Sequence, residues 1–363
     1  MLKQIKIENF RCFKSFELQQ LGRVNLLVGK NNSGKTSILE AIKILSSENI
    51  LGSLKTLLEN RGEYTWNDMT DRRLVSTTKK EYILCHLFFQ HQIYLNNSFI
   101  ISDSHKTIIF IIREHQATNN EDNFVEKSNV VQIRIIENQN SSESILYKLT
   151  DNFTLVDRFI GSKNIRDTSS NTQFITSSSL NLESTIELFN KIVLTPEEEF
   201  LYQALKILEP KIERIAPIIM DRRYYSAKDI SRNGFVVKLT DSQQRIPIGS
   251  MGDGVWRMLG LSLALVAAKD GVLLVDEIDT GLHYTALEDM WKLIWETAKK
   301  LNVQVFATTH SRDCYEALEV LANRDDVGEE DISIQRIEKD ATKSVAYNKE
   351  EIAVAAEREI EVR

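Results

Sequence analysis

Residues 29–36 read GKNNSGKT, a G-x-x-x-x-G-K-[ST] pattern set between an apolar run, VNLLV, and a helical pattern, SILEAIKILSS. The backbone N–H groups of such a loop, with a helix N-terminus behind them, form a cradle for phosphate. Gly29, Lys30, Asn31, Asn32, Ser33, Gly34, Lys35, Thr36 and Ser37 are therefore the expected contacts of a nucleoside triphosphate. Lys35 is placed to reach the β- and γ-phosphates and Thr36 to ligate Mg²⁺. The bland alternative, a glycine-rich turn ahead of a helix, does not by itself require the strand–loop–helix order that the sequence keeps.

A second stretch, GVLLVDEID at 271–279, ends an apolar run in adjacent carboxylates. Neighbours on a buried strand point to opposite faces, so the pair belongs at the strand's C-terminal edge, where the phosphate loop also lies. Asp276 is expected to hold Mg²⁺ and Glu277 to polarise the attacking water as general base. Taken alone, the pair reads equally well as an acidic N-capping turn. In VFATTHS, 305–311, another apolar strand ends at His310, placed to donate to a γ-phosphate. A fourth stretch, SMGDG at 250–254, precedes an apolar helix and offers N–H groups and a positive dipole end to an anion. Two anion cradles in one chain suggest a sandwich, in which the second cradle faces a triphosphate held by another copy.

In this order the motifs resemble the ABC-type ATPase domain, with SMGDG similar to a variant of its signature. More narrowly, IENFRCF, GKNNSGKTS, SMGDGVWR, DEIDTGLHY, ATTHS and the ending NKEEIAVAAEREIEVR resemble the RecF/SMC-like branch and bacterial OLD-type AAA ATPases. The likeness is firm over roughly residues 1–50 and 190–363 and loose between them. It implies ATP and Mg²⁺ as cofactors, Ser250, Gly252 and Gly254 as phosphate contacts across a dimer, Asp279 as the D-loop aspartate and His310 as the switch histidine. It also puts Arg11 near the phosphates. Gln90 and Gln92 are candidates for the family's Q-loop glutamine. Met251 replaces the glycine of the commonest signature.

The resemblance implies an ATP-dependent homodimer, or a higher even oligomer. Lys35 and Asp276 are 241 residues apart without sustained heptads, which speaks against a long coiled-coil arm. The 53 residues after His310 leave no room for the nuclease domain of OLD-type enzymes, so a separate nuclease effector is the expected partner, in bacterial anti-phage or toxin-like defence. The alternative is a DNA repair or recombination ATPase that binds DNA directly.

These residues need a scaffold. The expected fold is α/β: a P-loop NTPase of ABC-ATPase type, its mostly parallel core sheet flanked by helices and carrying an antiparallel β-rich lobe. The expected division is 1–50 for the first part of the ATPase domain, 51–190 for an inserted β-rich lobe and 191–363 for the rest. KQIKIENF and RVNLLVGK read as early strands, and YILCHLFF, QIYL, TIIFIIRE, VVQIRIIE and SILYKL as strands of the lobe. Residues 161–181 read as a mobile polar loop, TPEEEFLYQALKILEPKIERI as helix, and FVVKLTDSQQRIPIG as a hairpin turning near Asp241–Ser242. Helices are expected over 255–269 and 284–300.

The composition, 42% hydrophobic and 27% charged, is that of a globular protein. No uninterrupted apolar run is long enough to span a bilayer, and the three scattered cysteines favour the cytoplasm. A net charge of −7 does not point to a dedicated nucleic-acid surface. His86, His91, His105 and His115 fall on different expected strands without ligand-like spacing and read as scattered strand residues. Trp256 reads as core, and Arg222–Arg223 as a solvated edge.

Overall fold

A computed structural model describes residues 1–68, 78–118, 125–138, 140–156, 171–177, 181–218 and 234–357. The chain opens with a hairpin, β1 (Ile5–Phe10) and β2 (Phe13–Leu18), followed by β3 (Val24–Val28), the glycine loop, α1 (Lys35–Ser46) and α2 (Ile50–Asn60). The next strands are β4 (Tyr64–Asp68), β5 (Thr78–Ile83), β6 (Ser98–Ser102), β7 (Lys106–Thr118), β8 (Val125–Glu137), β9 (Asn140–Lys148), β10 (Thr154–Val156) and β11 (Thr172–Ile175). Helices α3 (Leu182–Ile192) and α4 (Glu198–Leu208) lead to a small sheet of β12 (Ile212–Pro217), β13 (Phe235–Leu239) and β14 (Arg245–Pro247). Then come α5 (Asp253–Ala267), β15 (Val272–Val275), α6 (Leu287–Lys300), β16 (Gln304–Thr308), α7 (Arg312–Ala322), β17 (Ile332–Arg336), β18 (Val345–Tyr347) and α8 (Lys349–Glu357).

The core sheet runs β11-β15-β16-β3-β17-β18. The first five strands are parallel and β18 returns antiparallel. Its central strands VNLLV, VLLV and QVFAT are buried throughout, as a sheet covered on both faces requires. Their side chains divide by the two-residue period. Leu26, Val28, Leu273, Val275, Val305 and Ala307 face the helices of the C-terminal half, whereas Leu27, Leu274 and Phe306 join Ile38, Leu39 and Ile42 of α1.

On that second side lies an antiparallel sheet ordered β2-β1-β6-β7-β8-β9, whose Ile7, Phe99 and Phe110 pack into the same cluster. Helix α1 is thus held between two sheets. At one border, Glu17 of β2 is engaged by the backbone of residues 342–344: its N–H donates to the Thr342 carbonyl and its carbonyl accepts from Ser344, both at 3.0 Å. At the other border lies β9. A three-stranded sheet, β10-β5-β4, stands beside α2.

The mostly parallel core, flanking helices and antiparallel lobe match the expected class. Two local readings are corrected. Residues 84–89 and 92–95, read as parts of two strands, instead form short 3-10 turns at Leu84–Leu87 and Phe89–His91 and then loop, because Leu84, Leu87 and Phe88 are anchored inward together. The helix read through Ile215 stops at Leu208. Pro210 drives Glu209 to an extended conformation, and IERIAP continues as β12. Strands from before and after residue 50 share one sheet, since β1 pairs with both β2 and β6. The hairpin at Asp241–Ser242 joins β13 to β14 as expected. Trp256 is core, packed against Phe235. Arg222–Arg223 and most of 161–181 lie outside the described residues. Among the described residues, no helix is long and apolar enough to cross a membrane.

Candidate functional site

Strand β3 delivers the loop 29–34 to the C-terminal edge of the core sheet, and α1 leaves from it. Gly34 is the N-cap of α1 at φ 99°, and a Cβ there would come 2.3 Å from Phe13 Cζ, so only glycine lets the loop close under the β1–β2 turn. The Lys35 ammonium curls back to donate to the carbonyls of Gly29 (2.8 Å) and Lys30 (2.9 Å). Burial pushes its pKa down to about 8, against the opposing pull of Asp276 and Glu277. The Ser33 hydroxyl is buried without a hydrogen-bond partner. A cavity of about 560 Å³ opens over the loop, lined by residues 31–37, Cys12, Arg61, Asp276, Glu277 and His310.

Strand β15 ends at the carboxylates. The Thr36 hydroxyl lies 3.1 and 3.2 Å from the two Asp276 oxygens, and Thr308 at the end of β16 donates to Asp276 at 2.7 Å. The same Thr308 hydroxyl accepts the Glu277 N–H at 2.8 Å, stitching the ends of β15 and β16 together. Glu277 is left-handed (φ 50°), a conformation that non-glycine residues adopt at a cost and that turns the chain at the strand end. The donor set fits a hard cation: a hydroxyl and a carboxylate already adjoin, and carboxylate, hydroxyl and phosphate oxygens are what Mg²⁺ takes. Arg257 of α5, 2% exposed, donates to the carbonyls of Thr176, Asp276 and Glu277 and fixes the turn from behind.

His310 lies across the cavity with Nδ1 3.5 Å from Lys35 Nζ. A charged lysine can only donate, so Nδ1 is the acceptor of this contact. Burial, then the Lys35 charge, lowers the His310 pKa, favouring the neutral ring this arrangement needs. Asp279 accepts from Thr309 at 2.6 Å.

Arg11 is placed differently from the expectation. It does not line the cavity; it is buried with Nε on Glu40 (2.9 Å) and Nη1 on Glu63 (2.7 Å) and the His86 carbonyl (3.0 Å). Beside Lys35, the wall carries a second cation, Arg61, whose Nε bonds the other oxygen of Glu40. Gln90 and Gln92 are exposed and line no part of the cavity. Sequence reasoning missed Cys12, Arg61 and the threonines; Thr308 and Thr309 were legible in ATTHS, whereas nothing local marks Arg61.

The SMGDG stretch runs from a 3-10 turn, Ile248–Met251, through the N-cap Gly252 into the start of α5. Ser250, Gly252 and Asp253 are exposed, and none of residues 250–254 lines the cavity. A Cβ on Gly254 would meet the Gly281 carbonyl oxygen at 2.8 Å, so glycine permits the helix start to press against the segment after Asp279.

A family profile described as an AAA ATPase domain matches the chain in two overlapping segments, residues 1–193 and 74–314. An ATP/GTP phosphatase of Helicobacter pylori is 24% identical over 348 residues, 90% of each chain. The DNA replication and repair protein RecF of Clostridioides difficile is 53% identical over 45 residues, 12% of each chain. The SMC head domain from Thermotoga maritima is similar at a TM-score of 0.43 and 15% identity, over 96% of this chain and 98% of that one.

Proposed function

The chain belongs to the AAA ATPase domain family, and on that premise we propose that it is an ATPase working as a nucleotide-sandwich dimer. The loop 29–37 binds the triphosphate, and Lys35 leaves its carbonyl partners for the β- and γ-phosphates. Thr36 and Asp276 would hold Mg²⁺, which would neutralise phosphate charge. Glu277 accepts the proton of the attacking water, and His310 donates to the γ-phosphate. Ser250, Gly252 and Gly254 of a second copy close the site from the far side.

One observation carries this reading. The cavity is lined by the lysine, the carboxylates and the histidine, while the second anion cradle of the same chain sits outside that lining, its Gly254 against the segment after Asp279. A two-fold pairing gives each cradle a triphosphate. Glu277→Gln is the test. It is expected to bind ATP, to hydrolyse it at least about a hundredfold more slowly and to accumulate as dimer. Hydrolysis at the normal rate overturns the role of Glu277, and a monomer under saturating ATP overturns the sandwich.

For the biological role, the OLD-type resemblance supports a regulatory ATPase of a bacterial anti-phage or toxin-like system that controls a separate nuclease effector. Copurification with a small nuclease tests it. A direct DNA-binding role draws on the RecF relative, named for DNA replication and repair. DNA-stimulated turnover that falls steeply with salt would select that reading instead.

A further inference from the structure

The four histidines of the β-rich region were expected to scatter. Among the described residues no group of three or more His, Cys, Asp or Glu side chains gathers as metal ligands. Two of the four nevertheless meet. On a regular strand, residues 86 and 91 would point to opposite faces. Instead the chain breaks into two 3-10 turns, anchored by buried Leu84, Leu87 and Phe88. Gln90 and His91 then follow in the left-handed region, at φ 56° and 57°. Two consecutive left-handed residues, neither of them glycine, are costly, and such strain persists only where surrounding structure enforces it. Its result is that the His91 ring folds back onto His86, with Nδ1 to Nδ1 at 3.3 Å and the rings 75° apart.

We infer that His86 and His91 form a two-imidazole site for a borderline divalent transition metal of the Zn²⁺ type. Imidazole nitrogens bind Zn²⁺ at about 2.0–2.1 Å, and two nitrogens 3.3 Å apart around such an ion subtend about 105°, near the tetrahedral angle. Imidazole ligands select Zn²⁺, Cu²⁺ or Ni²⁺ over Mg²⁺, so the site is chemically distinct from the hydroxyl and carboxylate that suit Mg²⁺ in the nucleotide cavity. His91 is exposed, which leaves the remaining coordination positions to water or an incoming ligand. Metal binding requires both Nδ1 atoms unprotonated, with the protons on Nε2; without metal, one Nδ1–H must be shared between the rings. The turn is also tied to the nucleotide wall. The His86 carbonyl accepts from Arg11, the Arg11 N–H donates to the Leu87 carbonyl at 2.8 Å, and the next residue, Cys12, lines the cavity.

Calorimetric titration of the full-length chain with Zn²⁺, without nucleotide, tests the assignment beside ¹⁵N spectra of the histidine rings. The expected result is saturable binding at this site, at least about tenfold weaker in both His86→Ala and His91→Ala. It should be unchanged in His105→Ala, which alters an exposed turn. The Nδ1 signals of His86 and His91 should shift together on metal addition. Zn²⁺ binding equally strong in both alanine variants overturns the inference. So does a spectrum that keeps one shared Nδ1–H at saturating metal.

Discussion

Lys35 carries the clearest pH signature at the scale of single residues. An ordinary lysine stays charged past pH 10, but burial sets this one near 8. Phosphate recognition needs the ammonium, so the free protein gains competence as pH falls below about 8 and loses affinity as pH rises through it. Bound phosphate restores the proton, which makes binding above pH 8 proton-coupled. ATP affinity measured from pH 7 to 9.5 should therefore fall above 8, at most about tenfold per pH unit. A flat profile would show that Lys35 is not the group that titrates. Lys35, Thr36, Asp276, Glu277 and His310 were legible because a phosphate loop and strand-end acids are short contiguous patterns. Arg61 was not, since its place depends on Glu40, 21 residues earlier, and the pairing of Arg11 with Glu63 spans 52 residues.

Among the elements, α5 and the turn before it do two tasks. The exposed turn into the helix presents Ser250 and Gly252, while Arg257, one turn into α5, reaches inward to three carbonyls at the ends of β11 and β15. Arg257→Ala should cost about 3 kcal/mol by leaving those buried acceptors unpaired. Thermal unfolding should then fall by roughly 5–10 °C. Arg257→Lys should recover little of this, since one ammonium cannot span the three acceptors that a planar fork meets. An alanine variant with unchanged Tm would show that water replaces the guanidinium. The sequence's periodicity located α5 to within two residues, because its apolar run is long. It misread residues 84–89 and 92–95, where alternating apolar residues satisfy a strand pattern while their side chains anchor tight turns. Periodicity reports which residues go inward, not whether the backbone stays extended between them.

At the scale of the whole molecule, the sandwich predicts complementation between two dead variants. Lys35→Ala lacks a working loop, and Ser250→Arg blocks the cradle it offers its mate. Each alone should be inactive. An equal mixture forms heterodimers with one intact site of two, so about a quarter of normal ATP turnover should return. A mixture as inactive as its components would mean that each chain completes its own site. The layered α/β plan was readable from alternating motifs, but the sharing of one antiparallel sheet between residues 5–18 and 98–148 was not, since long-range pairing leaves no local mark. That sheet has unequal borders: residues 342–344 occupy the backbone of β2 at Glu17, and β9 lies last at the opposite side. Among the described residues, a ribbon blocked at one margin is left to be extended from the other. Strand pairing through β9 alone would then stop at two molecules, since each uses its one available margin on the other.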